Sequence, residues 1–470
     1  MIIGLNINKF MPRRKKNPQE AVKKVEKRSD KVPSRLLGMK DMIGSEYRCY
    51  DLVTSKACEF AKLYSFTNLK TPILESFDLY KKFARKGGDK ELYFVDSDKS
   101  EKATLRSEIT QGAVRVYLEN NLSESGLPSR LFSLGPIFRH EKLQSGHYRE
   151  STQANLEIIG DSKPLAEAIL ISMVHNFFND LQVKVQLQIN SIGTAECRRE
   201  YGNKLAAFYK ERGRRSKLCN CCKNNLLKNC LGLLDCKEDG CVKLREEAPQ
   251  IADYLSVESR EHFAKILEFL EELNIEYNFN PYLVRGLNYY NDTVFEFWPV
   301  TEDGNLLSRM ALAGGGRYDS LVEMMGGPAT PAVGLAIGIE RTMAKLKDKH
   351  LLTNKIEEDI IFIAQLGDQA KLKSLQLFEE LRQAGFNVRQ SFASDSLKVQ
   401  LEEAAAMRAK TSLILGKKEL MDGTILMRDM DSGAQETVVF KKIRERLSKK
   451  DKLIEKKVNN RKEGGLYGGF

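Results

Sequence analysis

At 470 residues the chain is long for a single core and sized for two or three domains. Hydrophobic residues make up 42% and charged residues 30%, a globular composition rather than a disordered or fibrous one, and no apolar run reaches the roughly 18 residues of a membrane-spanning helix. The net charge of +11 is unevenly placed: residues 1–35 carry 11 basic and 3 acidic residues and residues 441–470 carry 11 and 4, which leaves residues 36–440 at −4. Two basic tails on a mildly acidic body suit an anionic partner, or are simply solvated ends.

The start, MIIGLNINKFMPRRKK, puts its charges after a short apolar run, the reverse of a secretory signal, and its first 19 residues lack the serines of a transit peptide. The expected location is therefore the cytoplasm. Pro33 and Gly38 mark entry into a folded body, and Pro72 precedes a strand start at ILE. RLFSLGPIFRHE and STQANLEIIG read as two strands joined by a polar loop around Gln144–Tyr148. Pro164 opens a helix whose apolar positions Leu165, Ile169, Met173 and Phe177 recur at helical spacing. Val183, Val185, Leu187 and Ile189 alternate with Lys184, Gln186 and Gln188, which predicts a half-buried strand. A basic, cysteine-rich stretch (193–255) interrupts the pattern. Helical spacing resumes at Phe263, Ile266, Leu267, Leu270 and Leu273, and strands are expected at Thr293–Trp298 and around AGGGRYD (313–319). From about residue 357 short apolar strands alternate with helices, β-α-β-α-β within about 60 residues, which predicts a small, mainly parallel α/β domain.

Six of the nine cysteines (219, 221, 222, 230, 236 and 241) fall together, and with no export signal they suit a metal better than a disulfide framework. Cys219 and Cys222 form a CxxC pair, answered by Cys236 and Cys241; four thiolates from two knuckles match a closed tetrahedral structural zinc site. Cys221 and Cys230 are spare, and metal-free thiols are the alternative. None of the five histidines (140, 147, 175, 262, 350) lies in the cluster, which argues against catalytic zinc. Three arginines stand beside strand or glycine signals: Arg139, Arg285 and Arg341. Their planar forks suit phosphate oxygens, although each could equally be a salt-bridged surface residue. Neither GxGxxG nor GxxxxGK[ST] is present, so bound ATP is not expected in a Rossmann or P-loop manner. Glu108, Glu157 and Glu296, near Thr110, Gln153 and Tyr290, could hold an ammonium or an imidazole, while any one alone reads as a solvated carboxylate.

Taken together, five segments resemble histidyl-tRNA synthetases of the bacterial type, a family of class II aminoacyl-tRNA synthetases, from about residue 35 to 440. GMKDMIGSE through TPILE is similar to the first class motif, RLFSLGPIFRHEKLQSGHYRESTQANLEIIG to the second and AVGLAIGIERT to the third. LVRGLNYYNDTVFE (283–296) and AGGGRYD resemble the family's histidine-pocket signatures, and SLKVQLEEA with SLILGKKEL its anticodon-binding domain. The resemblance implies an α+β catalytic domain over 36–345, with an antiparallel sheet flanked by helices and an insertion at about 193–280. That insertion would hold a zinc-ribbon-like lobe at 214–245. An α/β anticodon-binding domain would follow at 356–445, between basic extensions at 1–35 and 446–470. It implies a histidine–tRNA ligase that uses ATP and Mg²⁺, acts on histidine and tRNA(His), works as a homodimer and needs no membrane. Arg139 and Arg285 would grip the α-phosphate and carry the chemistry, with Arg341 on the γ-phosphate and Glu141 and His147 also at ATP. Glu108, Thr110 and Gln153 would bind the ammonium of histidine, and Glu157 and Tyr290 its imidazole, with Tyr289, Gly314 and Gly316 lining the pocket.

Five positions depart from the family pattern. Ser107 and Ile109 replace the Pro and Gly of RPEGT, and a β-branched residue would be strained there at positive φ. His147 stands where Arg is common and Asn288 where Asp is common. Ser151 stands where an aromatic ring stacks on adenine, a platform worth about 1–3 kcal/mol by analogy with base stacking elsewhere. Two other functions compete: a non-catalytic paralogue that senses histidine or regulates a partner, and a zinc-ribbon nucleic-acid binder. The first is disfavoured by the presence of LVRGLNYY and the C-terminal domain, the second by the 400 residues of patterned core.

Overall fold

The computed structural model describes residues 34–448 apart from 84–90, 97–101, 127, 141–147, 228, 286, 288, 309, 348–358 and 392–393. Residues 1–33 and 449–470 of the two basic tails, the Gln144–His147 part of the second-motif loop and Asn288 lie outside the described residues. Two compact units are present, residues 1–352 and 353–470.

In the first unit the helix Ser45–Leu63 turns Cys49, Val53, Ala57, Phe60 and Ala61 inward on a single stripe at helical spacing. Strand β1 (Thr67–Asn68) follows. Strands β2 (Leu74–Ser76), β3 (Tyr93–Asp96) and β4 (Lys102–Leu105) form a small antiparallel sheet in the order β2-β4-β3. The helix Thr110–Glu119 leads to β5 (Ser129–Phe138) and β6 (Glu150–Ile159). After the helix Leu165–Asp180 come β7 (Val185–Ser191), β8 (Tyr277–Phe279), β9 (Asn291–Pro299), β10 (Ala313–Arg317) and β11 (Ala332–Gly338). These build an eight-stranded sheet in the order β1-β5-β6-β11-β10-β9-β7-β8. Its six central strands are antiparallel, as expected, while the edge pairs β1/β5 and β7/β8 are parallel, so the whole sheet is mixed.

The sheet's two faces differ in chemistry because side chains alternate along every strand. One face is apolar: Ala154, Leu156, Ile158, Leu187, Ile189, Phe295, Phe297, Val333, Leu335 and Ile337 form a single core with Phe60, Phe177, Ile266 and Leu270 of three covering helices. Phe60 meets Phe177 edge-on at 6.0 Å. The opposite face is polar and nearly bare, with Asn155, Glu157, Gln188 and Asn190 buried on it and glycine at 314, 316 and 334. Ile159, Val294 and Ala332 on this face pack into a second core, and its polar part forms the floor of the candidate site.

The helix expected after Pro164 is present as Leu165–Asp180: Met173 and Phe177 are buried as the spacing predicts, Leu165 is exposed and Ile169 half-buried, and Ala166, Leu170 and Val174 complete the buried stripe. The cysteine-rich stretch is mostly helical, with helices Ala195–Lys210, Arg212–Lys217, Asn220–Asn225 and Asp239–Glu246. Short polar segments carry weak periodicity, which is why the sequence reads as a gap there. Its apolar residues Leu218, Leu226, Leu233, Leu234 and Leu244 join Tyr201 and Tyr209 in one core with Tyr289, Tyr290 and Tyr318.

In the second unit β12 (Ile361–Gln365), β13 (Val388–Gln390) and β14 (Thr411–Leu415) are parallel and joined by the helices Asp368–Gln383 and Leu397–Ala406. The predicted β-α-β-α-β run is therefore present. Two antiparallel strands not anticipated from the pattern, β15 (Thr424–Asp429) and β16 (Gln435–Val439), complete the order β13-β12-β14-β15-β16. β16 alternates exposed and half-buried residues rather than apolar ones, so it leaves little hydrophobic signal. Among the described residues no helix is long and apolar enough to cross a membrane.

Candidate active site and cysteine cluster

The polar floor gathers most of the expected site residues. Glu157 projects from β6 and is wholly buried. Thr110 Oγ1, at the start of its helix, donates to Glu157 Oε1 at 2.6 Å, and the Tyr318 hydroxyl donates to Oε2 at 2.6 Å. Burial pushes the Glu157 carboxyl up to about 7, even though these hydrogen bonds pull it down. Glu108, two residues before Thr110, is raised to about 7 by burial as well, opposed by the charge of Arg139, the Tyr289 hydroxyl and the charge of Arg285. That hydroxyl donates to both Glu108 oxygens, at 3.3 and 3.1 Å, and Tyr80 donates to the Glu108 carbonyl at 3.1 Å. Two buried carboxyls at the edge of ionisation form a site that a cation would complete, because an entering positive charge offsets the desolvation of both.

The cationic side of the site faces these carboxyls. Arg285 pairs with Glu296, whose other oxygen accepts from Trp298 Nε1 at 2.7 Å, and the Arg285 guanidinium lies 5.6 Å from the Tyr290 ring centre. Desolvation works against the Arg285 charge, yet Glu296 and Tyr290 hold its pKa above the ordinary value. Glu296 is thus committed to Arg285 and Trp298, not to the ammonium or imidazole considered from the sequence. Arg139, just past β5, donates through Nε to the Ser107 carbonyl at 2.8 Å and is tied to the loop that carries Glu108. Arg341 stands on the helix Ile339–Lys347 and donates to the Ala311 carbonyl at 3.0 Å. Gln153 is half-buried on the same face as Glu157, opposite Gly135 and Gly338. Gly314 pairs across from Glu296, and a Cβ there would lie 2.7 Å from Arg285 Nη1. Gly316 is crowded by the Thr293 carbonyl at 2.5 Å. Glu141 and His147 lie outside the described residues.

Several partners escaped the sequence reading. Tyr318 follows Gly314 and Gly316 at period two, a signal that was available, whereas Tyr80 and Trp298 give none because their partners are set by the fold. The arginine of AGGGRYD turns out to be a strut: buried Arg317 donates to both oxygens of Glu167, at 2.6 and 2.5 Å, fixing β10 to the helix Leu165–Asp180. Ile109 sits at φ −103° and is fully buried, so its place in RSEIT costs no strain. Ser151 pairs opposite Ile137 on β6.

The sulfur atoms of Cys219, Cys222, Cys236 and Cys241 all lie within 4.8 Å of one another, and Cys221 and Cys230 are not part of the group. Cys219 and Cys236 are 3.9 Å apart, close to the sulfur–sulfur edge of about 3.8 Å that tetrahedral Zn–S bonds near 2.3 Å require. The Cys222 N–H donates to Cys219 Sγ at 3.4 Å, and the Cys219 N–H to Cys241 Sγ at 3.3 Å. The first of these backbone bonds lowers the Cys219 thiol. Burial pushes the Cys222 and Cys241 thiols up, a cost that a divalent ion among four converging sulfurs would offset, and the all-sulfur donor set fits a soft metal.

The histidyl-tRNA synthetase family pattern matches residues 38–342. The chain belongs to the histidyl-tRNA synthetase family. A second pattern, the anticodon binding domain, matches residues 360–450. The histidine–tRNA ligase of Thermosipho melanesiensis is 36% identical over 405 residues, spanning 85% of this chain and 95% of that protein. That of Syntrophotalea carbinolica is 34% identical over 421 residues, 89% and 98% of the two chains. The crystal structure of apo Staphylococcus aureus histidyl-tRNA synthetase superposes with a TM-score of 0.73 at 28% identity, covering 88% of this chain and 99% of that one. The protein is accordingly an aminoacyl-tRNA ligase with a class II catalytic domain and an anticodon-binding domain, both built on mixed sheets flanked by helices.

Proposed function

We propose that this chain activates histidine with ATP and transfers it to the 3′ end of tRNA(His), and that the polar floor is where both steps occur. The observation that carries this reading is that buried Glu108, with Glu157 beside it, lies within reach of the charges of Arg139 and Arg285. Glu108, Thr110 and Gln153 would receive the ammonium, and Glu157 with Tyr290 would face the imidazole, with Tyr289 positioning Glu108. Leaving such buried polar groups unpaired disfavours apolar side chains strongly. Arg139 and Arg285 would hold the α-phosphate as the carboxylate oxygen attacks phosphorus and pyrophosphate departs, and Arg341 would neutralise the γ-phosphate. Little covalent help is needed for such a displacement, only alignment and fixed positive charge. Mg²⁺ bound to the phosphates supplies additional positive charge. The glycines at 314 and 316 let Arg285 and Tyr290 lie close over the sheet, and Glu141 and His147 belong to the ATP side of the same proposal.

Residues 36–345 would be the catalytic domain, with an insertion at about 193–280, and 356–445 the anticodon-binding domain. The lobe at 214–245 is read as zinc-ribbon-like, with structural zinc on Cys219, Cys222, Cys236 and Cys241; four converging sulfurs with backbone donors support this. Leu36, Leu37, Ile43 and Tyr47 are exposed around the first-motif helix, an apolar surface that suits a homodimer contact. A cytoplasmic location completes the reading. The sensing-paralogue alternative is not favoured, since the LVRGLNYY segment and the C-terminal unit are both present. Amino-acid-dependent ATP–pyrophosphate exchange across all twenty amino acids, without tRNA, tests it: exchange with histidine alone is expected, and no exchange despite histidine binding would overturn it.

A further inference from the structure

The cysteine lobe and the histidine pocket are joined by one residue that neither motif includes. The helix Asp239–Glu246 carries Cys241 and, one turn later on the same face, Arg245. The Arg245 guanidinium reaches in two directions. Within the lobe, Nη1 donates to the carbonyl of Leu234, two residues before Cys236. Outside it, the guanidinium stacks over the Tyr282 ring, 4.6 Å from its centre. Among the described residues Arg245 Nε is buried without a hydrogen-bond partner, so this placement is held despite a desolvated donor. Tyr282 begins the segment that runs through Arg285 to Tyr289 and Tyr290. On its other side the segment is gripped by the sheet: Asn190 Nδ2, from β7, donates to the Leu283 carbonyl at 3.0 Å. The strap bearing Arg285 is thus clamped between Asn190 of the sheet and Arg245 of the lobe. Tyr201, whose hydroxyl donates to the Pro249 carbonyl at 3.0 Å, ties the end of the lobe back to the helix Ala195–Lys210.

We propose that Arg245 is a positioning residue for the histidine pocket, and that through it metal occupancy of the four cysteines sets how well the Tyr282–Tyr290 strap is held for binding. A four-thiolate site that closes the lobe fixes Cys241 and Cys236, hence both ends of the Arg245 linkage; without the metal, the helix and the Leu234 turn are no longer pinned to each other. This second statement rests on the zinc reading above, whereas the role of Arg245 in the pocket does not.

The test uses the full-length protein and histidine titration calorimetry beside pyrophosphate exchange, with metal content measured on the same samples. Arg245→Ala, and independently Tyr282→Leu, are expected to weaken histidine binding about tenfold, the scale of a partly desolvated cation–π contact. Exchange should slow as well, because the same strap carries Arg285 of the α-phosphate side. Arg245→Lys should recover part of the loss, a rescue that a general folding defect would not show. Chelated wild-type protein should lose histidine affinity by a similar factor, and chelation should add little to Arg245→Ala, since one linkage is broken either way. Wild-type histidine affinity in folded Arg245→Ala and Tyr282→Leu proteins would overturn the positioning role. A weakened Arg245→Ala whose loss simply adds to that of chelation would overturn the coupling to the metal. Freshly prepared protein without metal would remove the zinc reading while leaving the Arg245 comparison intact.

Discussion

Gly334 lies directly across the sheet from Glu157, and a Cβ added at Gly334 would sit 1.6 Å from Glu157 Oε2. The carboxyl that Thr110 and Tyr318 hold in place therefore occupies the volume a side chain at 334 would need. Gly334→Ala must push Glu157 off both hydrogen bonds or deform β11. It should destabilise the protein by about 1–3 kcal/mol, the usual range for overpacking, and lower histidine-dependent exchange at least tenfold. Thermal melting together with exchange kinetics decides this; wild-type values for both would show that Glu157 does not depend on the bare floor.

The two raised carboxyls make stability depend on pH in a definite direction. The folded pKa of Glu157, about 7, lies above the ordinary carboxyl value of 4.5, so between these the unfolded chain binds fewer protons and stability falls as pH rises. Glu157→Gln removes this contribution. The variant should gain stability relative to wild type as pH goes from 5 to 8, by roughly 2–3 kcal/mol at the upper end. Paired denaturant titrations at those two pH values check it, and a pH-independent difference would count against the buried carboxylate.

Arg285→Ala is expected to abolish adenylate formation, since a fixed positive charge beside the carboxyl pair is lost. Glu296 then keeps only Trp298, so some stability is lost too, on the order of 1–3 kcal/mol for a half-buried pair losing one member. Arg285→Lys should retain the fold but not the forked geometry, and exchange should remain at least tenfold down. An active Arg285→Ala enzyme would remove this residue from the chemistry.

Chelation of the purified protein should release about one zinc per chain and lower its melting temperature, because binding energy at a four-thiolate site is folding energy. Cys221→Ser should bind metal normally, while Cys219→Ser should not. Equal zinc content in these two variants would show that the ligands are chosen differently.

Much of this was legible in the sequence where periodicity is strong. Leu187 and Ile189 face the core as the alternation requires, and Gln188 on the same strand faces the site. Glu108, Thr110, Glu157, Arg139, Arg285 and Tyr289 were picked out by segments that resemble family signatures, and the fold brings them near one another. Contacts made by tertiary structure left no such trace. Tyr80 reaches Glu108 from 28 residues away, and Arg245 meets Tyr282 from a lobe whose short helices have little amphipathic pattern. The Arg285 pairing of Glu296 was not legible, because a strand carboxylate beside Tyr290 looks the same whether its partner is a substrate or an arginine.

Ile109, completely shielded between Glu108 and Thr110, has a consequence for the speed and cost of substrate capture. An apolar anchor between two polar site residues makes the acidic wall a fixed part of the interior rather than a loop that must settle. Under the proposed reading histidine would meet a wall already ordered, and the entropy cost of settling a mobile loop, about 1–2 kcal/mol per backbone residue, would fall in folding rather than in binding.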